Sequence, residues 1–126
     1  MSKGMKTILL VDDEKDIRDL YRNELEERGY RVLTAANGQE ALEILFKEAG
    51  LQLVITDLRH PKPDGRELLQ RIKKERPKLP VIINTTFSEG KKDKVLLEAE
   101  AYVVKTPDLD DLFKAVNRIL GDPFCA

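Results

Sequence analysis

The sequence predicts an α/β fold, an open doubly wound sheet of five parallel strands built as a (βα)5 chain, and three observations predict it. Runs such as "TILLV", "LQLVIT", "VIIN" and "AYVV" are rich in valine, isoleucine and leucine without polar alternation, the pattern of strands buried on both faces. Longer stretches of helical period lie between them, each with start or stop signals. Finally, the reactive side chains follow the strands' carboxyl ends: Asp12 and Asp13, Asp57, Thr85 and Thr86, and Lys105. Ligands of doubly wound sheets bind at that edge.

The elements follow in order. Residues 6 to 11 form the first strand, and Ile17, Leu20, Tyr21 and Leu25 trace an amphipathic helix that Gly29 ends with a left-handed cap. "YRVLTAA" is the second strand. Asn37 and Glu40 then make a capping box for a helix whose buried stripe is Ala41, Leu42, Leu45, Phe46 and Ala49, closed by Gly50. The third strand, "LQLVIT", runs into Asp57, and Asp64 with Glu67 caps the helix carrying Leu68, Leu69 and Ile72. "VIIN" is the fourth strand, Ser88 to Glu100 a weaker helix, and "AYVV" the fifth strand. Thr106 is the expected N-cap of the last helix with Pro107 at its first position, ahead of the stripe Leu109, Leu112, Phe113, Val116 and Leu120.

Size and charge exclude several function classes. A chain of 126 residues suits one domain with one core. Charged residues make up 36% of it yet nearly cancel to a net charge of −1, so no global field draws it to nucleic acid or an anionic membrane. The apolar run after "MSKGMK" is too short for a signal peptide and no run approaches a membrane span, which makes a cytoplasmic location the expectation. The single cysteine, Cys125, has no partner within the chain. His60, the only histidine, belongs to a surface loop, and the lysine pairs at 73–74 and 91–92 belong to solvated helix faces.

Carboxylates gathered at neighbouring strand tips raise one another's pKa unless a cation neutralises them. A hard divalent ion such as Mg²⁺ is the natural partner, held by one or two carboxylates and a phosphate. Lys105 and the Thr85 hydroxyl add a positive charge and a donor, so an anion is expected there too, and a phosphoryl group fits best. The sequence has neither a G-x-x-x-x-G-K-[ST] loop nor a G-x-G-x-x-G turn, which disfavours nucleotides. A carboxylate can instead carry the phosphoryl group covalently, and Asp57 is the candidate.

The segments "LLVDDEKDIRDL", "LVITDLRHPKPDG", "PVIINTTFSE" and "AYVVKTPDLDDL", in this order and spacing, resemble the receiver domain of bacterial two-component response regulators, from residue 6 to about residue 120. The resemblance implies a flavodoxin-like strand order 2-1-3-4-5 and one receiver domain over residues 1–126, with a short tail from 121 to 126. It implies Asp57 as phosphoacceptor, Asp13 as direct Mg²⁺ ligand, Asp12 as an acidic partner acting partly through water, and the backbone carbonyl of Arg59 as a further ligand. Lys105 would pair with phosphoryl oxygens, Thr85 would hydrogen-bond one of them, and Tyr102 would be the aromatic switch residue that follows Thr85. The implied function is a phosphorylation-dependent switch, with a sensor histidine kinase or phosphotransfer protein as donor and catalysis limited to its own phosphotransfer and dephosphorylation. The face made by the fourth helix, fifth strand and fifth helix would be the output surface. No output domain is expected after the last helix.

The chain departs from that pattern in four places: a short stretch between Thr85 and Lys105, Thr86 where a small residue is common, Thr106 between the lysine and the proline, and "HPKPDG" in the loop after Asp57. Two other functions compete. One is a receiver-like interaction module that is not phosphorylated, which the short stretch and Thr86 favour. The other is a phosphohydrolase of the haloacid dehalogenase type, whose first-strand D-x-D pattern "DDEKD" does not match. Singly, Asp12 and Asp13 read more readily as helix caps, Asp57 reads also as a turn acid, Lys105 more readily as a solvated strand-end lysine, Thr85 also as an ordinary loop threonine, and Tyr102 equally well as packing. Their shared edge is what favours a site.

Overall fold

The computed structural model describes residues 5–59, 63–86 and 93–121. Five parallel strands, β1 (Thr7–Val11), β2 (Arg31–Ala35), β3 (Leu51–Thr56), β4 (Val81–Thr85) and β5 (Ala101–Val104), form one sheet in the order β2-β1-β3-β4-β5. The crossovers carry α1 (Lys15–Glu27), α2 (Gly38–Lys47) and α3 (Gly65–Glu75), and α4 (Asp110–Leu120) follows β5. The fold class and strand order are those expected. Among the described residues no helix is long and apolar enough to cross a membrane.

The central strands are buried on both faces, and alternate residues feed two cores. Leu9, Val11, Val54, Val81 and Ile83 pack with the buried residues of α2 and α3. Ile8, Leu10, Leu53, Ile55 and Ile82 pack with Tyr21 and Leu25 of α1 and Leu112, Phe113 and Val116 of α4. This period-2 partition explains the absence of polar alternation in the strand sequences.

The helix ends follow local chemistry. Gly29, at φ 97°, closes α1, with its N–H donating to the Glu26 carbonyl and that of Tyr30 to the Leu25 carbonyl. The Asn37 and Asp64 side chains accept the N–H groups of Glu40 and Glu67, as expected of capping residues. Helix α2 ends at Lys47, before Gly50, and Arg76 at the end of α3 donates to the Leu45 and Glu48 carbonyls there. Phe46 is 60% exposed rather than part of the buried stripe. One residue beyond Leu45, it points about 100° around the helix from the core direction. Leu20 is likewise on the solvent side of α1.

Two expected elements differ. The part of the expected fourth helix that falls in 93–100 is a turn followed by one 3₁₀ turn, Leu96–Glu98; Ser88 to Lys92 lie outside the described residues. Local side-chain bonding and anchoring at both ends set this shape. The Asp93 carboxylate takes the Val95 N–H and pairs with Arg66 at 2.9 Å, while Glu100 pairs with Lys73 at 2.9 Å and accepts the Val81 N–H. Leu96 is buried between these anchors. The last helix starts at Asp110, not at Pro107. The Thr106 hydroxyl donates to the Asp108 carbonyl and the Asp108 carboxylate takes the Asp110 N–H, so two tight turns consume the segment before helical bonding begins.

Replacing Glu100 by alanine strands the Val81 N–H and leaves the largely buried Lys73 ammonium without its counter-charge, bonded to the Leu79 carbonyl. Urea denaturation should show a loss of about 1–3 kcal/mol, the cost of an unsatisfied buried donor, whereas Glu75→Ala on the exposed face of α3 should change stability little.

Candidate functional site

Parallel register brings the acids together. Val11 of β1 is opposite Thr56 of β3, and the Asp57 N–H donates to the Val11 carbonyl, so Asp12 and Asp57 leave adjacent strand ends side by side. Lys105, one residue past β5, donates its N–H to the Thr85 carbonyl at the end of β4. Gly65 makes the close approach of α3 possible: a Cβ there would lie 2.2 Å from the Asp57 carbonyl oxygen and 2.6 Å from the Leu58 Cα. Only glycine lets the first turn of α3 lie against the backbone that carries Asp57.

A single ammonium joins the two buried acids. Lys105 Nζ donates to Asp12 Oδ2 and Asp57 Oδ2, each at 2.7 Å, with all three side chains almost withdrawn from solvent. Asp57 also accepts the Arg59 N–H at 3.3 Å and a hydrogen bond from the Thr85 hydroxyl. Burial pushes the Asp57 carboxyl up, but the hydrogen bond and charge of Lys105, with Thr85 and Arg59 adding to them, hold it below the usual carboxylate range. Burial likewise pulls Lys105 down, and its hydrogen bonds to Asp12 and Asp57 outweigh that and hold it above the usual lysine value. The protein thus carries its own counter-ion at the acidic edge.

Asp13 is exposed beside this pair. A cleft of ≈ 540 Å³ opens over it, lined by Asp13, Glu14, Asp57, Arg59, Thr86 and Lys105 among others. Carboxylate oxygens of Asp12, Asp13 and Glu14 lie within 4.8 Å of one another. An all-oxygen set of this density, with Asp57 alongside, fits a hard divalent cation better than a soft one. Arg59 lines the cleft, and its backbone N–H reaches Asp57 Oδ1 at 3.3 Å.

Tyr102 does not join this cluster. It is half-buried on β5 opposite Ile83, two residues before Thr85 on β4, and packs against the same core as Leu96. Thr85 and Tyr102 therefore share one face of the sheet, one at its tip and one further in. Thr86 lies in the cleft wall, as do Thr106 and Pro107. His60 is outside the described residues.

The structure thus brings Asp12, Asp57, Lys105 and Thr85 into hydrogen-bonding contact and sets Asp13 and Arg59 at the rim. Sequence reasoning assigned charge compensation to a metal ion and Lys105 to an anion; the direct bridging of two carboxylates by Lys105 was not foreseen. It also passed over Glu14, although the run "DDE" held that signal.

An acidic edge with a lysine and a threonine hydroxyl, at the ligand-binding end of a 2-1-3-4-5 sheet, suits a phosphoryl group carried on a carboxylate. Residues 8–117 match the response regulator receiver domain, and the chain belongs to that family. It is 36% identical over 115 residues to sporulation initiation phosphotransferase F of Bacillus subtilis, covering 90% of this chain and 92% of that one. It is 38% identical over 122 residues to the probable transcriptional regulator ycf27 of Cyanidium caldarium, covering 94% of this chain and 48% of the relative. The chain therefore spans about half the length of some curated relatives and nearly all of another. Among solved structures, the response regulator TrrA of Thermotoga maritima in complex with Mg²⁺-BeF superposes with a TM-score of 0.88 at 40% identity, covering 92% of this chain and 100% of that one. TrrA bound to the histidine kinase ThkA gives a TM-score of 0.86 at 40% identity, covering 92% of this chain and 99% of that one.

Two outcomes follow from this geometry. Gly65→Ala should lower stability by about 1–3 kcal/mol in chemical denaturation, the scale of an overpacked contact that backbone must relieve. The second concerns pH. The Asp57 carboxyl is depressed below 3.8, so its pairing stabilises the fold fully above that value and is lost as pH falls through the lower folded value. Acid unfolding of Asp57→Asn should accordingly lose less stability below about pH 4 than the wild type does.

Proposed function

We propose that this chain is a phosphorylation-dependent signalling switch that accepts a phosphoryl group on Asp57, with Mg²⁺, from the phosphohistidine of a sensor histidine kinase or phosphotransfer protein. The carrying observation is that Asp57 lines an open cleft with its carboxylate already held by Lys105 and Thr85. Support also comes from TrrA, which binds Mg²⁺-BeF and a histidine kinase on the same fold. We read residues 1–126 as a single receiver domain with its core from about 6 to 120.

The low pKa of Asp57 keeps it ionised and nucleophilic. One of its oxygens attacks phosphorus in line, an O–P bond forms as the P–N bond breaks, and the departing imidazole nitrogen keeps the electron pair and takes up a proton. The Asp57 carboxylate loses its charge on becoming an acyl phosphate, the phosphoryl oxygens bring theirs with them, and the nearby Lys105 ammonium pairs with those oxygens. Asp12, Asp13, Asp57 and the Arg59 carbonyl would hold Mg²⁺, which when bound neutralises charge on phosphoryl oxygens. The Thr85 hydroxyl turns to a phosphoryl oxygen, and Tyr102, on the same sheet face, moves toward the space it leaves. The surface of β5 and α4 changes with it. Water later cleaves the acyl phosphate, so the chemistry is confined to the chain's own phosphotransfer and dephosphorylation.

Incubation with Mg²⁺ and acetyl phosphate, read by intact mass, should add one phosphoryl group, and Asp57→Asn or omission of Mg²⁺ should abolish the gain. Lys105→Met should slow labelling by about a hundredfold or more, the scale for removing one charge-stabilising donor. No labelling from acetyl phosphate or a phosphorylated kinase, together with no Mg²⁺ binding, would instead identify an unphosphorylated interaction module.

A further inference from the structure

Arg18 takes part in none of the chemistry above, yet its guanidinium reaches back over the first turn of α1 to the site. Its Nη1 donates to the backbone carbonyl of Asp12 at 2.7 Å. With that bond every polar group of Asp12 is engaged. Its N–H donates to the Ala35 carbonyl, Oδ1 accepts the Glu14 N–H at 3.0 Å, and Oδ2 accepts from Lys105. Three of these contacts hold Asp12 itself. The fourth acts on the peptide plane between Asp12 and Asp13, because the carbonyl that Arg18 holds belongs to that plane.

The orientation of this plane governs Asp13. Unlike Asp12, Asp13 is exposed, and among the described residues its carboxylate has no hydrogen-bond or ion-pair partner. What aims its side chain is therefore its backbone, whose N–H lies in the plane Arg18 fixes. The same contact turns the Asp12 carbonyl toward α1 and removes it from the oxygens that can face a cation. Arginine suits the task, since it stays charged and donates from a rigid planar fork.

We propose that Arg18 is a positioning residue of the acidic site: by holding the Asp12–Asp13 peptide through the Asp12 carbonyl, it aims the Asp13 carboxylate at the divalent cation. The inference rests on the reading of the site as Mg²⁺-binding, and its test separates the two. Electrostatics alone predicts the opposite effect, because removing a positive charge beside three acids should tighten cation binding. The sign of the change is thus diagnostic.

The experiment is calorimetric titration of the full chain with MgCl₂ for wild type, Arg18→Met, Arg18→Lys, Lys15→Met and Asp13→Asn. Lys15 is an exposed cation at the same end of α1, paired with Asp19, and controls for charge. Arg18→Met should bind Mg²⁺ about tenfold more weakly, in the range seen when a residue that orients a metal ligand is lost. Arg18→Lys, able to donate one bond to the same carbonyl, should recover most of that loss, and Lys15→Met should bind as tightly as wild type or slightly tighter. Melting curves without Mg²⁺ identify any variant that fails to fold, and Arg18→Gln then replaces Arg18→Met. Unchanged or tighter binding by the uncharged Arg18 variants overturns the positioning role. Failure of wild type to bind Mg²⁺, or unaltered binding by Asp13→Asn, overturns the underlying metal-site reading.

Discussion

One lysine ammonium shared between two buried carboxylates is the interaction on which the rest of this structure depends. Asp12 and Asp57 are withdrawn from water at adjacent strand ends, where neither charge is tolerable alone. Lys105 meets both at 2.7 Å. The arrangement needs the sheet, because the three residues follow β1, β3 and β5 and the order 2-1-3-4-5 sets those ends in reach of one another. It also needs Gly65, which lets α3 close on the Asp57 carbonyl. Fold and site therefore specify each other. The sheet creates the electrostatic problem at its edge, and a residue from its far strand solves it.

The same interaction gives the edge its capacity to respond. An ammonium held by two carboxylates keeps Asp57 ionised, and a change of charge at Asp57 alters what Lys105 and Thr85 are bonded to. Behind Thr85, the chain from Asp93 to Glu100 is tied to both ends of α3, through Arg66 and Lys73, with Leu96 buried between. Where a longer helix was expected, the described part of the connection, residues 93–100, is held by ion pairs at both ends and by Leu96, with Val95 and Ala99 packed against the same core.

Much of this was legible in the sequence, for physical reasons. Strand positions followed from unbroken aliphatic runs, and the helix starts at Asn37 and Asp64 from side chains that accept their own N3 amides. Asp12, Asp57 and Lys105 were legible as an edge because parallel topology puts every strand's carboxyl end on one side. Legibility ended where several weak local preferences competed. Thr106 and Pro107 are good helix starters, but the Asp108 turn captures the backbone first. Phe46 is apolar but one position out of phase with the stripe. The bridging by Lys105 and the hold of Arg18 on Asp12 are contacts between side chain and distant partner that no periodicity encodes.

The most direct test of the central claim is a pH titration of the Asp57 side-chain carboxyl by ¹³C NMR, in wild type and in Lys105→Met, without metal. With Lys105 present the group should titrate below 3.8. With the ammonium gone burial is the dominant influence, and the group should titrate above that value. An Asp57 titration that does not move when Lys105 is removed would contradict the account, since some other group would then be holding the acidic edge together.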